Sequence, residues 1–338
     1  MCIGEDFYFD IGSRNPRVCL SVLFRVLLSH SSLVISHSKT MYHPNIGIIG
    51  VGWVGAQVKR YFEELKGYKS GKDLFAYDHN PQKCIGDVNR ADVIFVTVPT
   101  PRSKNGACDT SIVFESIKNL KPGKAIVIKS TIPPGTTELL QKKYPKQKFL
   151  FNPEFLTESR AWEDMLRPDR QIVGFTKKSM DVAHLVLSLL PKAAFMSPWG
   201  INTYTPVRIT ATEAEMIKYA GNVYFAQKVN WANALAKIAK KMKCDYENVR
   251  KGMSADYRIG DSHLDVYHGG YRGFGGYCLP KDLSALMVFA KQNGIEDVYQ
   301  LLRTAWKFNE NLLAEQGLTV DQVSQHIDKI KIRKRIGK

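Results

Sequence analysis

Short uninterrupted apolar runs, each ending in small or polar residues, set the rhythm of the first half of the chain. Residues 46–49 (IGII), 74–77 (LFAY), 93–98 (VIFVTV), 125–128 (AIVI) and 149–151 (FLF) are too short for helices. They also lack polar alternation, so they read as strands covered on both faces. Helical character follows the first of them over 57–65, and 167–174 returns to a strand. Strands alternating with helices predict an α/β fold built on a doubly wound parallel sheet. Beyond 206 the period changes: 211–243 reads as one long helix, opening a helical second domain over 206–315.

The first strand runs directly into Gly50-Val51-Gly52-Trp53-Val54-Gly55, and helical sequence follows. In that setting the first glycine makes the turn, the second lets a pyrophosphate approach, and the third packs helix on strand. The second strand ends in Asp78, placed to accept hydrogen bonds from an adenosine ribose, with Lys83 five residues on. An acid there repels a 2′-phosphate, which selects NAD over NADP. The third and fourth strands end at Val98-Pro99-Thr100-Pro101 and at 129–136, which contains Thr131. The carboxyl ends of successive parallel strands are where such sheets bind ligands. The first domain is therefore expected to be a Rossmann-type NAD-binding domain over 41–205.

The chain of 338 residues has no run of about 18 apolar residues, so no membrane segment is expected. Its six cysteines form no CxxC pair, which argues against a metal site and for reduced thiols in the cytoplasm. The net charge of +16 includes a terminal run, Lys329-Ile330-Lys331-Ile332-Arg333-Lys334-Arg335. Elsewhere the lysines are dispersed without interleaved aromatics, so a nucleic-acid partner is not expected. Residues 1–40 hold an apolar stretch broken by Arg25 and His30, a poor signal peptide. They read as a disordered or non-native extension, with Met41 an alternative start; 316–338 reads as a basic tail.

The chemistry gathers at Gly273-Phe274-Gly275-Gly276-Tyr277-Cys278-Leu279-Pro280-Lys281-Asp282. Glycines let the backbone approach a ligand, a positive neighbour favours the thiolate of Cys278, and Asp282 can orient a proton or a water. Lys218 and Asn222, one helical turn apart, form a plausible oxyanion site. Glu154 and Glu158 share a face if their stretch is helical.

These segments resemble one family, the UDP-glucose/GDP-mannose dehydrogenases. The matching motifs are GVGWVG at 50, VPTP at 98, KSTIPPGT at 129, NPEFLTE at 152, RPDRQIVG at 167, EAEMIKYAGN at 213, RIG at 258 and GFGGYCLPKD at 273, in the family's order over 44–315. The resemblance implies a four-electron oxidation of a nucleotide sugar's C6 alcohol to the acid, UDP-glucose to UDP-glucuronate, with two NAD+ used in turn. Cys278 would form a thiohemiacetal and then a thioester, and Lys218 and Asn222 would stabilise the oxyanions. Thr131 and Asp282 would hold the hydrolytic water, and Glu154 would assist proton transfer. Residues 50–55, Asp78, Lys83, Val98, Thr100, Pro101, Thr131 and Glu158 would meet the cofactor. The sugar would meet Glu154, Phe155, Leu156, Glu158, Lys218, Asn222, Phe274 and Gly275, with Arg258 reaching it from the partner subunit of a homodimer built on the central helix.

The chain departs from the family at four places. Ser159 stands where glycine is usual, and the link after Asp78 is short. Arg258 and Cys278 lie a few residues further apart than usual, through His263-Leu264-Asp265-Val266-Tyr267-His268. A third, nucleotide-binding domain is not evident. Two rival readings stay open: a truncated, inactive NAD-binding protein, and a two-domain hydroxy-acid dehydrogenase.

Overall fold

The computed structural model describes residues 43–197 and 208–324. The 1–40 extension, the expected domain junction near 205 and the basic run at 329–335 lie outside the described residues. The sheet consists of β1 (Ile46–Ile49), β2 (Leu74–Tyr77), β3 (Val93–Val96), β4 (Ala125–Ile128), β5 (Lys148–Phe151) and, after the separate β6 (Arg170–Ile172), β7 (Gly174–Phe175). Its order is β2-β1-β3-β4-β5-β7, parallel except for the β5–β7 pair. The order reverses beside β1, between β2 and β3, and that switch point opens a crevice at the carboxyl ends of the strands. A second small sheet pairs β6 with β8 (Phe195–Ser197).

β1, β3 and β4 are buried at every position, as their unbroken apolar runs require. Helices α1 (Trp53–Glu64), α2 (Ser111–Lys118), α3 (Thr136–Lys143), α4 (Ala161–Leu166) and α5 (Met180–Leu189) belong to this half. One core lies on each face of the sheet: Phe62, Phe95 and Leu150 anchor one, Ile126, Phe149 and Phe151 the other. The sequence-predicted start of the first helix at 57 is too late. α1 begins at Trp53, inside the glycine motif, where dihedrals rather than periodicity set the boundary.

The helical half consists of α6 (Ala211–Lys241), α7 (Tyr246–Ser254), α8 (Cys278–Gln292), α9 (Glu296–Ala314) and α10 (Val320–Ser324). A capping box between Thr210 and Glu213 starts α6. Buried Glu215 then ties that helix to the sheet domain: Gly135 N–H (2.6 Å), Thr137 N–H (2.8 Å) and Thr137 Oγ1 (2.6 Å) donate to its carboxylate. Desolvation pushes this carboxyl up to about 7 despite those donors. The loop after β3 docks on α8, since Arg102 Nε donates to Ser284 Oγ (3.1 Å) and Ser284 Oγ to the Gly106 carbonyl (2.8 Å). The expected tail from 316 begins later than its charge suggests. Leu318, Val320 and Val323 are buried in the helical core, and the Val323 carbonyl accepts from Gly276 N–H.

Candidate active site

The glycine turn shows three different needs. Gly50 has φ +89°, open to glycine at little cost. A Cβ on Gly55 would lie 2.0 Å from the Gly50 carbonyl oxygen, so only glycine lets α1 pack this close. Among the described residues a Cβ on Gly52 would meet nothing within 4 Å, leaving that face of the turn open for a pyrophosphate. Asp78 accepts from Val51 N–H (2.6 Å) and Asn80 N–H (2.9 Å), and Lys83 Nζ donates to the Val51 carbonyl (2.8 Å). Burial opposes the Asp78 charge, but these amides and the Lys83 ammonium outweigh it and hold the carboxyl below its usual range. The turn, the open second glycine and the ionised acid at the end of β2 fit NAD. At the neighbouring strand end Ser130 Oγ donates to the Val98 carbonyl (2.7 Å), joining the β4 and β3 loops, and Thr100 is buried beside them.

A cleft of about 460 Å³ opens next to this turn, with Val54 and Val58 of α1 on one wall. Its other walls carry Glu154, Phe155, Leu156, Lys218 and Asn222, so five of the expected substrate residues meet in one space. Residues 152–157 are irregular rather than helical, and the helical premise for pairing Glu154 with Glu158 fails. Pro153 removes an amide donor there. Only the backbone of Glu158 is described, in a short 3₁₀ turn.

Lys218 Nζ instead locks Glu154, donating to its Oε1 (2.8 Å) and to its carbonyl oxygen (2.7 Å). The second carboxylate oxygen accepts from Leu156 N–H (2.8 Å). One turn along α6, Asn222 Nδ2 donates to Asp282 Oδ2, while Lys281 Nζ donates to Oδ1 of the same carboxylate. Lys281 and Asp282 are both buried. Desolvation works against the Lys281 ammonium, but Asp282, Cys108 and Cys278 outweigh it and hold the group above its usual range.

Cys278 is the first residue of α8, where the unpaired amides and the helix dipole favour a thiolate. Its neighbour Leu279 lies on the cleft wall. The residue keeps an exposed side, yet the protein packed round its sulfur raises the thiol. The Lys218 charge is the strongest influence in the opposite direction, whereas Asp282 and Glu154 add to the rise.

Three expected contacts are not brought together. The Phe274 ring is buried in the helical core, and its peptide is clamped by Asn309 (2.8 and 3.0 Å), so it faces packing rather than substrate. A Cβ on Gly275 would lie 1.9 Å from Tyr271 Oη and 2.8 Å from the Val323 carbonyl oxygen, so α10 and Tyr271 explain that glycine. Arg258 stands 74% exposed, paired with Asp256 outside the cleft. Thr131 is half-buried, and its carbonyl accepts from Cys108 Sγ (3.5 Å).

Several groups here escaped the sequence reading. Lys129 is buried and lines the cleft, its Nζ donating to Asn152 Oδ1 (2.7 Å). Burial lowers it to about 8. The Arg170 guanidinium lies 4.0 Å from the Phe155 ring centre, and its Nε is buried without a hydrogen-bond partner among the described residues. Cys108 sits among Thr131, Lys281 and Tyr219. The basic residues lie within motifs already singled out, but nothing in one dimension says which side chain points inward.

Fold and site together define a dinucleotide-dependent dehydrogenase scaffold. Residues 79–188 match the NAD binding domain of the UDP-glucose/GDP-mannose dehydrogenase family, and residues 212–311 match that family's central domain. The chain belongs to this family, and NAD is the cofactor its first domain takes. It is 32% identical over 251 residues to a UDP-glucose 6-dehydrogenase of Rickettsia bellii, covering 72% of this chain and 54% of the relative. It is 34% identical to the UDP-glucose 6-dehydrogenase TuaD of Bacillus subtilis over 66% of this chain and 47% of that protein. The solved UDP-glucose dehydrogenase of Pyrobaculum islandicum superposes with a TM-score of 0.69 at 26% identity, covering 83% of this chain and 73% of that one. The chain spans about half the length of the curated relatives it matches.

Proposed function

We propose that this chain oxidises the C6 alcohol of a nucleotide sugar to the carboxylate, taking UDP-glucose to UDP-glucuronate. The observation that carries this reading is the setting of Cys278: a thiol opening a helix beside the cleft wall at Leu279, within the electrostatic reach of Lys218, Glu154 and Asp282. A hydroxy-acid dehydrogenase has no use for such a thiol.

NAD+, which Gly50, Gly52 and Asp78 would hold at the glycine turn, would supply the hydride acceptor for each of two oxidations. Glu154, through water, takes the alcohol proton as the first hydride leaves and the aldehyde forms. The thiolate of Cys278 then adds to the aldehyde carbon, making the C–S bond, and Lys218 and Asn222 carry the alkoxide. Loss of the second hydride from that carbon leaves a thioester. A water held by Thr131 and Asp282 adds to its carbonyl and gives one proton to Asp282, the C–S bond breaks, and the thiolate and the carboxylic acid separate. Lys218 serves both addition steps because its ammonium is already fixed on Glu154.

We also assign the chain a cytoplasmic homodimer built on α6. Met216, Tyr224, Trp231, Ile238 and Met242 are exposed and recur at steps of eight, seven, seven and four residues, one apolar stripe along that helix. A second copy of the same stripe would cover it by two-fold symmetry. Arg258, exposed and outside its own cleft, would then leave Asp256 to serve the partner's. Among the described residues no helix is long and apolar enough to cross a membrane.

Counting NADH per sugar tests the activity. Two NADH per UDP-glucose, lost in Cys278→Ala, is the expected result. One NADH, or turnover that survives loss of the thiol, overturns it. Tight NAD+ binding without reduction by any nucleotide sugar would favour the inactive rival.

A further inference from the structure

The segment between Arg258 and Cys278 is built as carefully as the helices around it. Lys228 Nζ of α6 donates to the Ile259 carbonyl (2.9 Å), and Tyr246 Oη of α7 donates to the Leu264 carbonyl (2.8 Å). Leu264 and Val266 are buried in a small core with Ala232, against Ala236, Tyr246 and Met253. Between these anchors stands His263, with φ +66°. A non-glycine residue in the left-handed region is uncommon, and it persists only where its surroundings demand it. Its ring lies flat on Phe225 of α6, with centroids 4.2 Å apart and planes within 1°. Its Nδ1 is 2.5 Å from Ser262 Oγ. Phe225, Ser262 and His263 all line the cleft that holds Glu154, Lys218 and Asn222.

We propose that His263 is a substrate-binding residue of this cleft, its Nε2 hydrogen-bonding a hydroxyl of the sugar ring. The proposal rests on the nucleotide-sugar reading above and adds a specificity contact to it. Stacking fixes the plane of the ring and Ser262 engages Nδ1, so Nε2 is the nitrogen left for a ligand. The side chain stays exposed on the cleft side, while the face against Phe225 is desolvated. That burial, with Lys228 and then His268 adding to it, lowers the imidazole and keeps it neutral at pH 7. A neutral imidazole suits a hydroxyl, with which it exchanges one hydrogen bond, rather than the charge of a phosphate. Loops that carry such contacts on a rigid scaffold are a common means of setting specificity.

Calorimetric binding of UDP-glucose and of UDP, with steady-state NADH production, tests this. His263→Phe keeps the stack and removes both nitrogens, whereas His263→Asn restores a hydrogen-bonding group in a residue that tolerates the left-handed region. The expected result is about tenfold weaker UDP-glucose binding and a correspondingly raised KM in His263→Phe, with affinity for UDP and kcat little changed. His263→Asn should recover part of the loss. Wild-type UDP-glucose affinity in His263→Phe overturns the proposal, as does an equal loss for UDP, which would mean a phosphate contact. If the wild-type chain binds UDP-glucose but does not reduce NAD+, the activity fails and the His263 comparison still stands on binding alone. If the wild-type chain binds no UDP-glucose, both readings fall.

Discussion

Lys218 Nζ lies 2.8 Å from Glu154 Oε1 and 2.7 Å from the same residue's carbonyl oxygen, bridging a helix of the central domain to the loop after β5. Both side chains are nearly sequestered, at 6% and 11% exposed. A buried ion pair rarely repays its desolvation in stability, so its value here is geometric: it fixes the cation beside Cys278.

Lys218→Met should therefore lower turnover by about 10²–10³-fold through loss of oxyanion stabilisation. It should also destabilise the chain by about 3 kcal/mol, because Glu154 is left buried without its partner. Glu154→Gln in the same background should return much of the stability and none of the activity. Urea unfolding followed by tryptophan fluorescence, beside initial rates, separates the two effects.

The glycine turn makes a paired prediction for NAD. Gly52→Ala adds a methyl that meets no atom of the described residues within 4 Å, so thermal stability should stay near wild type while NAD+ affinity falls about tenfold or more. Gly55→Ala puts its methyl 2.0 Å from the Gly50 carbonyl oxygen and should lose both stability and affinity. Equal behaviour of the two variants would contradict the assigned roles.

Alkylation of Cys278 by iodoacetamide should report its raised thiol. With the folded group above its ordinary value, the thiolate fraction at pH 7 is small, and the rate should still be climbing above pH 9. Lys218→Met removes the strongest opposing charge and should shift that rise to still higher pH, read by mass spectrometry of the modified peptide.

Lys129 makes stability depend on pH. Burial lowers its ammonium from 10.5 to about 8, so between those values the unfolded chain holds a proton that the folded chain has released. Stability therefore rises with pH across that window, and the destabilisation from this group is complete once pH has fallen to about 8, a span of about 3 kcal/mol. Lys129→Met should flatten the slope of unfolding free energy from pH 8 to 10 relative to wild type.

Much of this protein could be read in one dimension. The strands over 46–49 and 125–128 match the structure residue for residue, because a strand covered on both faces must be apolar at every position; 74–77 also matches, although Tyr77 at the end of this edge strand is exposed. The dinucleotide turn was legible for a similar reason: Gly50, Gly52 and Gly55 answer backbone constraints that few other residues meet. Cys278, Lys218 and Asn222 could be singled out as candidates by residue type and spacing within recognisable motifs. Tertiary structure decided the rest. Phe274 and Gly275 belong to the same motif as Cys278, yet packing against Asn309, Tyr271 and α10 turned them away from the cleft. Glu154 was expected to share a helix face with Glu158, but it pairs with Lys218, 64 residues on. His263 looked like surplus loop length until two anchors and the ring of Phe225 held it in the cleft wall. Periodicity records which side of an element is buried, whereas the groups that meet across a cleft depend on how separate elements dock, and that is settled only when the chain closes on itself.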